Sequence, residues 1–112
     1  MTLYTVDRLS GRKVREGGLV TAYAVTAANI IKDVREKITN TFGGRMARYE
    51  MLVEETVERA LARLEENARA QGYDGCLAVR ISHPSLVEGG VEVVVYGTGF
   101  NFVDGPHAGN PG

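Results

Sequence analysis

Two histidines and one cysteine set narrow limits on the chemistry open to this 112-residue chain. A soft-metal site needs several thiolate or imidazole ligands close together, and the sequence holds no C-x-x-C or H-x-x-x-H pair. Cys76 and His83 are seven positions apart in a β-rich stretch, which turns them to opposite faces and separates their backbones by about 23 Å. They cannot share a metal within one chain. Cys76 is therefore the one metal-ligand candidate, and only if symmetry gathers several copies of it, or of a carboxylate, around an axis. The alternative is a small thiol that packs in the interior. Nucleophilic catalysis finds equally little support, because Cys76 has no histidine beside it and no G-x-S-x-G elbow is present. Gly43-Gly44 lacks the Lys-Ser or Lys-Thr of a phosphate loop. Gly97-Thr98-Gly99 lies inside a strand pattern, where glycines permit a bulge or the close approach of another subunit.

One polar group remains. Asn29, Asp33, Arg45, Tyr49 and Glu50 gather around the loop expected to join two helical segments. They could line a ligand site, or Arg45 could pair with Asp33 or Glu50 and simply hold the loop.

The elements that position these residues follow from periodicity. Leu3 to Val6 fits a short β segment, Ser10-Gly11 a turn, and Leu19 to Thr26 a first principal strand rich in β-branched and small apolar residues. Apolar residues at Ile30, Ile31, Val34 and Ile38 repeat at helical spacing, which predicts a short helix ending before Gly43-Gly44. The clearest pattern runs from Ala47 to Gln71, where Tyr49, Val53, Val57, Ala60, Leu61, Leu64 and Ala68 fall on one stripe of a long amphipathic helix. Glu55 with Arg59 and Glu65 with Arg69 sit at ion-pair spacing on its other side. Gly72 is placed to cap it. Gly75 to His83 and Val91 to Phe102 read as a hairpin around Pro84 to Gly90. The fold class is α+β, with a single domain over residues 1–103 and a flexible tail over residues 104–112, which holds His107, two prolines and three glycines.

In the second strand Leu77, Val79 and Ile81 alternate with Cys76, Ala78, Arg80 and Ser82, and the first set should face the helix. The last strand is apolar on both sides, with Val91, Val93 and Val95 on one and Val94, Tyr96, Phe100 and Phe102 on the other. One helix covers one side of a three-stranded sheet. Either another subunit covers the second side, or Leu3 to Val6 and the short helix fold back over it.

Charge and hydropathy exclude some partners. A net charge of -1, a pI near 6.1 and a best basic cluster of four residues, Arg8 to Arg15, fit a solvated turn and give no phosphate-binding surface, so nucleic acid is not an expected partner. No apolar run approaches the ~18 residues needed to span a bilayer, and the N-terminus lacks a secretory pattern, so a cytoplasmic protein without membrane contact is expected.

The runs Gly18-Leu19-Val20-Thr21, Ala28-Asn29-Ile30-Ile31-Lys32-Asp33, Gly43-Gly44-Arg45 with Tyr49-Glu50, the Ala60 to Gly72 helix end, and Val93 to Gly99 together resemble the YbjQ family, UPF0145. The resemblance covers roughly residues 3 to 100. It implies a dodecin-like β-α-β-β subunit, with its long helix on a three-stranded antiparallel sheet and an extra short N-terminal strand. It further implies that five copies close into a ring, sometimes stacked as a decamer. Members carry a heavy-metal-binding label that no motif ties to residues here. Tyr73-Asp74-Gly75-Cys76 stands where the pattern is Ala-rich, which makes Cys76 particular to this chain.

The expectation is a non-enzymatic oligomeric module whose partner is itself, with a small ligand, metal or metalloid between subunits and no cofactor that the sequence names. The alternatives are a thiol-dependent enzyme or redox protein using Cys76, and a structural scaffold.

Overall fold

The computed structural model describes residues 2–26, 44–84 and 90–103, the side chains of 44–49 excepted. The expected short helix, the hairpin tip and the tail lie outside the described residues. Within them the order is β1 (Val14–Thr26), α1 (Gly44–Ala70), β2 (Gly75–Ser82) and β3 (Val91–Phe102), an α+β arrangement as expected. The three strands form one antiparallel sheet in the order β1-β3-β2, so β3 is central.

The long helix lies where its apolar stripe predicts. Ala60, Leu64 and Ala68 are fully buried against Val20, Ala22 and Ala24 of β1 and Val93 and Val95 of β3. Alanines on both elements let the helix axis approach the strand closely, which aliphatic residues of larger volume would prevent. Thr56 is a polar member of this buried stripe that hydrophobic periodicity does not reveal. Its hydroxyl donates to the Leu52 carbonyl at 2.8 Å and hydrogen-bonds the Thr26 hydroxyl at the end of β1.

The helix ends in a Schellman motif. Gly72 takes φ +90°, the Tyr73 N–H donates to the Ala68 carbonyl and the Gly72 N–H to the Arg69 carbonyl, each at 2.9 Å. This turn aims the Tyr73 ring back over the sheet. There the ring lies on Gly17 and Gly99, where any Cβ would overlap it, and its hydroxyl accepts from the Gly18 N–H at 2.8 Å. The glycines of the last strand therefore admit a ring of the same chain, and Gly97 sits against the irregular part of β2, near Cys76 and Val79.

β1 begins at Val14, five residues before the expected start at Leu19, and a bulge between Glu16 and Leu19 keeps Leu19 in register with Thr98. A second bulge lies between Leu77 and Arg80, with Ala78 at φ +53°. It reverses the alternation of β2. Cys76 and Val79 both pack into the helix-side core, Leu77 is buried outside that cluster, and Ile81 is 46% exposed. The expected grouping of Leu77, Val79 and Ile81 on one face is thus wrong, because one extra residue shifts the period-2 pattern by one position.

The N-terminal segment runs parallel to β2 along its outer edge. The Cys76 N–H donates to the Thr2 carbonyl at 3.0 Å, the Tyr4 N–H to Cys76, the Val79 N–H to Tyr4 and the Ala78 N–H to Val6. Leu3 packs against the helix-side core, while the Tyr4 ring meets Phe100 at 6.1 Å between centroids. Thr2 is held further by its N–H to Glu65 Oε2 at 3.2 Å.

Candidate functional site

Two features of the surface stand out once the core is assigned. The first is the sheet face turned away from α1. Its register places Leu19, Thr21, Tyr23 and Val25 of β1 beside Thr98, Tyr96, Val94 and Glu92 of β3. Leu19 is 68% exposed, Tyr23 65%, and Val25 and Tyr96 each 40%. The N-terminal segment covers the other end of this face only, burying Phe100 through Tyr4. There Phe102 stacks edge-on to Phe100 at 5.0 Å, with the Arg12 guanidinium 3.8 Å from the Phe102 ring centre. Of the expected fold-back of Leu3 to Val6, only the Tyr4 ring reaches this face, since the segment pairs along the edge of β2 with Leu3 in the helix-side core, and the short helix lies outside the described residues.

The second feature is the outer edge of β1. Arg59, Arg63 and Asn67 occur at successive turns of α1 and reach over this edge. Arg63 Nη1 donates to the Tyr23 carbonyl and Asn67 Nδ2 to the Thr21 carbonyl, both at 2.8 Å. Arg59 Nη2 donates to the Val25 carbonyl and the Thr26 hydroxyl, both at 3.2 Å. One helical step of four residues, about 6 Å, matches two strand residues at about 6.7 Å, so three side chains cap three outward carbonyls in turn. Arg59 therefore serves the strand edge, whereas Glu65 and Arg69 form their expected pair at 3.2 Å. Sequence reasoning missed this ladder. Its signal was the i, i+4, i+8 repeat of long donors beside a strand. A groove of about 390 Å³ lined by Thr21, Ala22, Tyr23, Arg63 and Asn67 opens beside it.

The residues singled out from sequence behave differently. Cys76 is fully buried, and burial pushes its thiol above its ordinary value of 9.0, because a thiolate there would lose its hydration. Among the described residues no three His, Cys, Asp or Glu side chains gather as a metal would require. These residues of one chain do not fit a soft-metal site. Asn29 and Asp33 lie outside the described residues, as do the side chains of Arg45 and Tyr49, while Glu50 is exposed near the start of α1. The basic residues Arg8, Arg12 and Lys13 border an open groove around the turn at Gly11, which takes φ +77°. No described helix is long and apolar enough to cross a membrane.

Sheet order and helix placement define an α+β fold in which, among the described residues, several apolar side chains of the sheet face away from α1 are exposed. The chain belongs to the YbjQ family, whose model, described as "Putative heavy-metal-binding", matches residues 1–102. A UPF0145 protein of Halobacterium salinarum is 33% identical over 99 residues, covering 88% of this chain and 95% of that protein. One from Clostridioides difficile is 30% identical over 99 residues, covering 88% of each. The crystal structure of a protein of unknown function in the DUF74 family, from Pediococcus pentosaceus, has a TM-score of 0.62 at 18% identity and covers 91% of this chain and 97% of that one, a likeness of fold. The names of these relatives state no reaction.

Proposed function

We propose that the protein works as a self-assembled, non-enzymatic module in which copies cover one another's sheet faces. The observation that carries this is the row Leu19, Tyr23, Val25 and Tyr96, apolar and exposed on a strand pair whose other face is fully packed. Contiguous apolar surface of this kind marks an association site. The family resemblance supplies the form, a ring of five copies. A small ligand, metal or metalloid belongs at surfaces that several copies build, since the described residues of one chain gather no ligand set. An enzyme or redox role for Cys76 finds no support in a buried thiol held in its neutral form.

Tyr23→Glu tests the assembly directly. The Tyr23 side chain is exposed, and α1 holds this residue through its backbone carbonyl, so the subunit should keep its fold. A carboxylate on the uncovered face should lower the mass measured by light scattering to that of one folded chain. An unchanged mass at equal concentration would refute the reading.

A further inference from the structure

The capped edge of β1 has a chemical character unlike that of an ordinary edge strand. A free edge offers alternating N–H and C=O groups and accepts another strand. Here the Thr21, Tyr23 and Val25 carbonyls are taken by Asn67, Arg63 and Arg59. The N–H groups of the same residues leave by the same side, as antiparallel geometry requires. What this edge has left to give is donors, from the backbone and from two guanidinium groups. Such a surface rejects a β-strand and suits carboxylates, and the groove beside Arg63 gives a side chain room to enter.

The same molecule carries the complement on the far flank of α1. Glu54 and Glu58 are exposed one helical turn apart on this flank, while Glu65, further along it, is already engaged by Arg69 and the Thr2 N–H at the β2 side of the sheet. A basic line and an acidic line therefore run along opposite flanks of one helix. Arg59 with Arg63 and Glu54 with Glu58 are each four residues apart, so the two pairs of charges share one interval of about 6 Å. Met51, also exposed, extends the acidic flank with an apolar contact.

We propose that the β1 edge with Arg59 and Arg63 is the docking surface for Glu54 and Glu58 of a second copy of this chain, a head-to-tail contact. It rests on the self-assembly reading and names the surface that sets its order. Because the two surfaces differ, the contact is heterologous and propagates from copy to copy until a ring closes. The uncovered face then supplies apolar area, and this contact supplies orientation.

Charge exchange tests it. Arg63→Glu and Glu58→Arg should each weaken assembly at least about tenfold in dissociation constant, in line with measured couplings of close interfacial charge pairs. The chain carrying both substitutions should recover most of the loss. Glu58 is exposed on the helix, so Glu58→Arg keeps the test valid if loss of the Arg63 bond to Tyr23 perturbs the subunit, and circular dichroism verifies the fold of each variant. An assembled wild type that neither single substitution weakens overturns this contact and leaves the self-assembly reading standing. So does a double variant no better than the singles. A monomeric wild type overturns both.

Discussion

Cys76 illustrates how one inserted residue changes what a side chain is for. The bulge at Ala78 puts Val79 on the same face as Cys76 where strict alternation would set them apart, and the thiol lies in the core cluster that also holds Val79 and Ala68. Two outcomes follow. A thiol reagent should leave Cys76 unmodified in the native protein and react with about one thiol per chain once denaturant unfolds it, whereas rapid native labelling would restore the redox alternative. Burial also raises the folded-state thiol value above 9.0, so the neutral form is favoured on folding. This contribution is fully present below the unfolded value and is lost as pH rises from there through the folded one. Stability of the wild type should therefore fall more steeply in that alkaline window than stability of Cys76→Ala, measured by denaturant midpoints at matched protein concentration. The sequence showed that Cys76 lacks partners, because partner spacing is a matter of residue order. It did not show which way the thiol points, because a bulge leaves no trace in composition. The cluster Asn29, Asp33, Arg45, Tyr49 and Glu50 was legible only as a gathering of polar types near one loop.

At the scale of elements, the junction of α1, β1 and β3 is fixed by one aromatic ring. Tyr73 leaves the Schellman turn, crosses Gly17 and Gly99 and ends at the Gly18 N–H, so the helix terminus, the bulge of β1 and the centre of the sheet share one contact. Asp74 continues the junction: its N–H donates to the Phe100 carbonyl and its carboxylate accepts the Phe102 N–H, both at 2.8 Å. Gly99→Ala should cost about 1–3 kcal/mol through overpacking, and Tyr73→Phe about 0.5–1.5 kcal/mol through loss of one hydrogen bond, both read from urea unfolding. A Gly99→Ala variant as stable as wild type would show that the ring can lift without loss. The helix and hairpin were plain in the sequence because long periodic stripes average over local irregularities. The early start of β1 was hidden by Gly17 and Gly18, which read as a turn until the ring that needs them is known. The ladder of Arg59, Arg63 and Asn67 was hidden for a related reason: its register depends on two elements at once, and each alone shows only polar residues on a helix surface.

For the whole molecule, both edges of the sheet are closed within the chain, β2 by the segment Thr2 to Val6 and β1 by side chains of α1. Over Thr21 to Val25 this disfavours strand-to-strand addition, and the exposed apolar face is the surface that the self-assembly proposal assigns to another copy. Under the proposed self-assembly, burying Leu19, Tyr23 and Val25 between copies would contribute roughly 25 cal/mol for each Å² of apolar surface removed from water. Native mass spectrometry of the unmodified protein at micromolar concentration tests this most directly. A single assembled species of several chains, five where the family resemblance holds, is the expected result. A stable single-chain species under those conditions would contradict the account.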